Sequence, residues 1–257
     1  MLGIESPGFV PADQAALRPK WWTQALLVGA VWWSYDVINN LNPLRATRAL
    51  AHGSAIVHLE MSWHLDAERT LNRWLGNHLL VGRWLGDYYA VAHFAVTIAV
   101  LGWIWWRHPA RYRFLRNTLL GINVIGFLVF WAFPVAPPRM LSDLGFVDVV
   151  AVAHSVGNLS TGALASQANE YAAMPSLHVA WALWCAFAIW SVRTDRTARA
   201  AAAAYVALTA TVAMATGHHY FLDVVAGAAT AVTAATVVAG QARSRRHAQF
   251  ADEIPTR

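Results

Sequence analysis

Six apolar stretches dominate the sequence and constrain the fold more than any other feature. Each is close to the roughly 20 residues that a helix needs to cross the core of a bilayer. They span residues 21–41, 84–106, 115–135, 175–192, 199–217 and 219–240. Only 13% of the 257 residues are charged, whereas an average soluble domain has about 25%. We therefore predict an all-α, polytopic membrane protein with six transmembrane helices.

The basic residues are unequally divided between the two sides of the predicted membrane. Thirteen Lys and Arg residues fall on the side that carries both termini, and six fall on the other side. The positive-inside rule then places both termini in the cytoplasm. The net charge of +5 is therefore explained by topology, and nucleic-acid binding is not predicted. The Arg- and Ala-rich composition indicates a bacterial inner membrane as the location.

We predict a single membrane domain over residues 1–257. A cytoplasmic segment (1–20) and a cytoplasmic tail (241–257) flank a catalytic core over 84–240. Residues 47–76 have apolar side chains at helical spacing and are predicted to form an amphipathic helix on the outer surface. Its other faces are filled by His58, His64, Glu68, Arg69 and Arg73.

Three clusters of ionisable or polar residues lie at the ends of spans that the alternating topology puts on the outward-facing side. The first follows the third span, the second opens the fourth, and the third joins the fifth to the sixth. Their members are Arg139, then Ser176 and His178, then His218, His219 and Asp223. Each residue alone has a structural explanation, such as an interface anchor, a packed histidine or a helix start. The convergence of all three clusters on one side predicts a functional site.

Each residue type has a chemical reason to be there. His219 and Asp223 are four residues apart, so they share a helical face, and the carboxylate can orient the imidazole as a base or nucleophile. Pro175 suits a first helical turn, whose free amides would form an anion pocket with the Ser176 hydroxyl. His178 lies in the same turn, close enough to serve as a general acid.

Arg139 completes the set, because a guanidinium can donate two hydrogen bonds to phosphate oxygens. Together these residues predict phosphoryl transfer without a metal or another cofactor. His93 lies inside the second span, where a packed histidine is the simpler interpretation.

These motifs resemble those of the type 2 phosphatidic acid phosphatase superfamily. The resemblance rests on Ala-Pro-Pro-Arg139, Met-Pro-Ser176-Leu-His178 and His219-Tyr-Phe-Leu-Asp223. It extends from about the second span to the sixth, and it is greatest to the branch that contains inositol phosphorylceramide synthase.

The resemblance implies a six-helix membrane fold with its site at the outer leaflet. His219 would be the nucleophile that forms a phosphohistidine, with Asp223 as its orienting partner. His178 would protonate the leaving oxygen, while Arg139 and Ser176 would hold the phosphate. The substrates implied are lipid phosphates, prenyl diphosphates or phospholipid headgroups, and the family uses no metal.

The sequence departs from the family pattern at several positions. Ala132 stands where the first motif usually has Lys, Leu177 where the second has Gly, and Val212 and Ala213 where the third has Ser-Arg. Two expected phosphate-binding cations are thus missing. The candidates that could replace them are His218, Arg45, Arg48, Arg69, Arg73 and Arg83.

The functional prediction is a lipid phosphate phosphatase or phosphotransferase in contact with membrane lipids. One alternative is a headgroup transferase like inositol phosphorylceramide synthase, since residues 47–76 and the long segment 136–174 could cover a lipid-sized cavity and restrict water. A transporter is the alternative from another class, although the spans are mostly uninterrupted. The sequence leaves the lipid, the acceptor and the oligomeric state open.

Overall fold

The computed structural model describes residues 19–40, 45–156 and 170–252, and these ranges form α-helices and contain no β-strand. The helices of the described ranges are α1 (Trp21–Asn40), α2 (Arg45–Ser62), α3 (Ala67–Gly76), α4 (Leu79–Arg107), α5 (Pro109–Ala132), α6 (Val149–Val152), α7 (Leu177–Val192), α8 (Arg196–Ala215) and α9 (Phe221–Asp252). Two short 3-10 turns, Pro138–Met140 and Ser142–Leu144, lie between α5 and α6. The all-α prediction is confirmed for these ranges.

Within the described ranges, four helices are long and apolar enough to cross a membrane, namely α4, α5, α8 and α9. Their lipid-facing character is visible in large apolar side chains that stay exposed, such as Ile98 on α4 and Val232 on α9. The helix α7 is equally apolar but has only 16 residues. These helices indicate a membrane protein, while the count of six spans, which also needs α1 and α7, stays a prediction.

The centre of the bundle is α7, which packs against α4, α5, α8 and α9. Small residues on α7 and α9, including Ala180 and Ala234, are buried and let the helices approach closely. Trp184 is buried on α7, and its indole N–H donates to the carbonyl of Leu115 on α5 at 2.8 Å. This close packing fixes the position of the first turn of α7.

The single amphipathic helix predicted over 47–76 is wrong, because the structure has two helices there. The helix α2 ends at Ser62, His64 adopts a positive φ of 56°, and the Leu65 N–H bonds back to the Glu60 carbonyl at 2.8 Å. The apolar side chains on the two sides of this turn pack into separate clusters: Ile56 and Val57 lie against Tyr220, whereas Leu75 lies against Val149 and Ala215. Glu68, expected on an outer face, is completely buried.

The described part of the long segment 136–174 consists mainly of turns and the short helix α6. Asp148 caps α6 by accepting from the Ala151 N–H at 3.0 Å. Residues 157–169 of this segment lie outside the described residues, as do 1–18 and 253–257 of the predicted cytoplasmic ends.

Candidate active site

The three clusters predicted from the sequence meet at one end of the bundle. Main-chain hydrogen bonds tie their segments together: the Ser176 N–H donates to the Asp223 carbonyl at 3.0 Å, and the Arg139 N–H donates to the Gly217 carbonyl at 2.8 Å. The start of α7, the turn after α5 and the junction of α8 with α9 therefore form one continuous structure.

His219 and Asp223 form a buried pair at the start of α9, with 3% and 0% of their surfaces exposed. The imidazole Nδ1 lies 2.8 Å from the Ala173 carbonyl and 3.3 Å from Asp223 Oδ2. The Tyr220 N–H also donates to Asp223 Oδ2, at 2.9 Å. Because a carbonyl and a carboxylate can only accept, Nδ1 must carry the proton. The Nε2 of His219 is therefore unprotonated and carries a lone pair.

His178, the second residue of α7, faces that free nitrogen. Its Nδ1 lies 3.4 Å from His219 Nε2. Two side chains from α4 hold its ring: Tyr89 stacks on it with centroids 4.2 Å apart, and the His93 ring lies 4.1 Å away. His93 donates from Nδ1 to the Tyr89 carbonyl at 2.9 Å. Two imidazoles thus meet at the site, and a third supports them.

Sequence reasoning missed Tyr89 and treated His93 as packing. Both residues lie on α4 and contact His178, and the Tyr89 ring also lies 4.4 Å from the His218 ring. The available signal was their spacing of four residues inside an otherwise apolar span, because polar side chains at membrane depth usually serve a function.

His218 borders the same space but is already engaged. Its Nδ1 lies 3.2 Å from the Thr216 hydroxyl, which itself donates to the Val212 carbonyl at 2.9 Å. The imidazole must therefore donate from Nδ1, which leaves Nε2 as an acceptor. Burial, and then the positive charge of Arg139, lower the His218 pKa well below its usual range. A phosphate-binding role for His218, which stays a prediction, requires proton uptake.

Ser176 caps α7 rather than lying inside its first turn. Its Oγ accepts from the Val179 N–H at 3.4 Å, and the residue is completely buried. Pro175 precedes this cap, so the prediction that Pro175 lies in the first helical turn is wrong by two residues. The hydroxyl hydrogen of Ser176 can still donate, and its phosphate contact stays a prediction.

Arg139 lies at the edge of the site, where it is paired with a carboxylate that sequence reasoning did not select. Its Nη1 is 3.2 Å from Asp148 Oδ2, and the two side chains are 21% and 29% exposed. Its Nε is buried without a hydrogen-bond partner. A guanidinium held by one oxygen of a partly exposed carboxylate retains donors for a phosphate.

The arginine candidates whose side chains are described are not brought to His178 or His219. The Arg69 guanidinium lies over the Phe146 ring at 5.7 Å. Arg73 reaches the backbone at Gly145, whereas Arg48 and Arg83 are exposed. The Arg45 side chain lies outside the described residues. Among the described contacts of these side chains, none involves His178, His219 or Asp223.

Asn72, on α3, joins the segment around Val147 to the end of α8, and sequence reasoning missed it. Its side-chain amide donates to the Val147 and Ala215 carbonyls at 2.9 and 3.0 Å, and its oxygen accepts from the Val147 N–H at 2.8 Å. Gly217, with a φ of 80°, passes so close that a Cβ there would lie 2.8 Å from the Val147 carbonyl. Only a glycine suits this position.

A comparison with known families assigns the chain to a family. The family model described as the PAP2 superfamily matches residues 54–237. The chain belongs to the PAP2 superfamily. This confirms the resemblance to type 2 phosphatidic acid phosphatases, and membership indicates phosphatase or phosphotransferase activity. The match begins inside α2, so α2 and α3 are part of the family unit, earlier than the sequence resemblance suggested. No curated protein and no solved structure matches the chain.

Proposed function

We propose that the protein is a metal-independent membrane phosphatase or phosphotransferase that acts on lipid phosphates through a phosphohistidine at His219. The supporting observation is the tautomer that the buried contacts impose on this residue. Its Nδ1–H is held by the Ala173 carbonyl and by Asp223, so Nε2 presents a lone pair. An oriented, neutral imidazole with one free nitrogen is the form that attacks phosphorus.

The reaction has two steps with opposite proton movements. In the first, the lone pair of His219 Nε2 forms a bond to phosphorus while the bond from phosphorus to the leaving oxygen breaks. That oxygen takes a proton from protonated His178, whose Nδ1 lies 3.4 Å from Nε2. In the second, water or an alcohol attacks phosphorus and gives its proton to His178 as the nitrogen–phosphorus bond breaks. Asp223 stabilises the positive charge on His219 between the two steps.

A lipid substrate agrees with the position of the site at the ends of apolar helices. The exposed rings of Trp63 on the turn after α2, Trp74 on α3 and Trp84 on α4 belong to this end of the bundle. Indole rings favour the headgroup region, so a phosphate at the site would lie at headgroup depth. With the 13-to-6 division of basic residues, this supports an outward-facing site.

The test is turnover of a lipid phosphate by purified protein in detergent with a chelator present. Turnover should be blocked by vanadate and abolished in His219→Ala, while His178→Ala should lose about 100- to 10,000-fold. His58→Ala is the matched control, because His58 is exposed on α2 and should keep full activity. Mass spectrometry of rapidly quenched protein should find the phosphate on His219. Unchanged turnover in His219→Ala refutes the proposal.

The charge of the site favours a phosphodiester donor, which is the kind of substrate that a headgroup transferase would use. Arg139 is the guanidinium whose charge acts on His218, while Val212 and Ala213 are buried where the family has Ser-Arg. One cation suits a monoanionic phosphodiester better than a dianionic monoester. Incubating a phospholipid donor with an acceptor alcohol decides between the two reactions. A transferase yields a new headgroup lipid, and a hydrolase yields free phosphate or a free phosphorylated headgroup.

A further inference from the structure

Two glutamates lie buried beside the first turn of α9. Glu60 is near the end of α2 and Glu68 is in the first turn of α3, and both are completely buried. The Leu222 N–H donates to Glu60 Oε1 at 2.6 Å. Leu222 directly precedes Asp223, so Glu60 holds the helical turn that carries the partner of His219.

The remaining oxygens of this pair have no donor. Glu60 Oε2 and both carboxyl oxygens of Glu68 are buried, with no N–H or O–H group donating to them, while the two carboxyl groups interact with each other. Two carboxylates are both acceptors, so they can bond only if one of them is protonated. A proton on Glu60 Oε2 that is donated to Glu68 gives a partner to Glu60 Oε2 and to one of the two Glu68 oxygens.

The electrostatics of the pair agree with this arrangement. Burial, and then the contact with Glu68, raise the pKa of Glu60 to about 9, and burial also raises the pKa of Glu68. The charges that act on the pair are those of Asp66 and Asp223, and Tyr220 lies close to both glutamates. Arg69 follows Glu68 in the sequence and places its guanidinium over the Phe146 ring. The carboxylates of Asp66, which precedes α3, and of Asp223 on α9 oppose a second negative charge on the pair.

We propose that Glu60 and Glu68 share one proton and act as a positioning pair for His219 and Asp223. This inference rests on the phosphoryl transfer proposed above. With the proton in place, the pair carries one negative charge and anchors the Leu222 amide. Loss of the proton puts a second negative charge beside Asp223, and repulsion between the carboxylates loosens the contact between α2 and α9. The geometry of His219 is then lost, although substrate still binds.

The experiment compares variants that keep the hydrogen-bond pattern with one that removes it. Glu60→Gln keeps the acceptor for Leu222 and gives Glu68 a donor, and Glu68→Gln is its mirror image. Both should retain kcat within about threefold at pH 7, whereas Glu60→Ala should lose about 10- to 100-fold in kcat with KM unchanged. Glu170→Gln, at an exposed position, is the matched control.

The pH profile of kcat separates positioning from mere stability. Wild-type kcat should fall as pH rises through about 9, where Glu60 loses its proton, and this fall should be absent in Glu60→Gln. Any alkaline decline that has another cause persists in every variant. Full activity of Glu60→Ala, or an unchanged alkaline fall in Glu60→Gln, overturns the proposal.

Infrared spectroscopy gives a readout that is independent of turnover. A band from a protonated carboxyl should be present at pH 7, shift in D2O, disappear as pH rises through about 9, and be missing in Glu60→Gln. Absence of this band in the wild type refutes the shared proton. A wild type that shows the band but turns over no lipid phosphate refutes the proposed function and leaves the proton-sharing pair intact.

Discussion

Replacing Asn72 by alanine tests whether the site is held together from α3. The change removes three hydrogen bonds at once, and it leaves the N–H and carbonyl of Val147 and the carbonyl of Ala215 without their partner. Asn72 is completely buried, so water cannot replace the lost amide. At about 1 kcal/mol for each net hydrogen bond, with a further penalty for buried groups left unpaired, the cost is about 4 kcal/mol.

The assay is thermal unfolding of purified protein in detergent. For a chain of this size, about 4 kcal/mol corresponds to a fall in Tm of about 10 °C. Asn77→Ala is the matched control, since Asn77 is exposed at the end of α3 and should shift Tm by less than about 2 °C. Equal Tm values for Asn72→Ala and Asn77→Ala would refute the reasoning that this amide joins α3 to the site.

Two further changes probe the packing of α9 and the binding of phosphate. Gly227→Ala places a Cβ in collision with the Ser176 carbonyl and should destabilise the protein by about 1 to 3 kcal/mol in the same assay. The control is Gly240→Ala on the same helix, where no atom lies within 4 Å of the new Cβ, and this change should be neutral or slightly stabilising. Equal effects of the two changes would contradict the packing argument. Asp148→Asn releases Arg139 from its ion pair and should lower KM for a lipid phosphate about two- to fivefold with kcat unchanged. An unchanged KM would mean that the ion pair between Arg139 and Asp148 does not compete with substrate binding.

The catalytic candidates could be predicted because their signals are local in sequence. The spacing of His219 and Asp223 defines a shared helical face, and the contact at 3.3 Å follows from it directly. The topology then brings His178 to the same end, where it lies 3.4 Å from His219. Helical periodicity and the alternation of spans are enough to predict that these residues lie close together, even when the packing of the helices is unknown.

The supporting residues could not be predicted in the same way. Glu68 and Asn72 lie on an amphipathic segment, where polar residues normally face solvent, and both are buried by contacts with parts of the chain distant in sequence. The break between α2 and α3 depends on the left-handed backbone at His64, which apolar periodicity does not register. A buried polar residue becomes recognisable only when its partner across the fold is known.

The departure at Leu177 from the family pattern has a packing explanation. A Cβ at Gly126 on α5 would lie 2.7 Å from Leu177 Cδ2, so the glycine makes room for the larger side chain. The substitution of Gly by Leu in the second motif is therefore matched by a small residue opposite, and it carries little information about the acceptor. The buried Val212 and Ala213 are different, because they are apolar residues where the family has a polar and a charged one. The charge around the phosphate thus favours a diester donor, and diester donors are the substrates with which to begin.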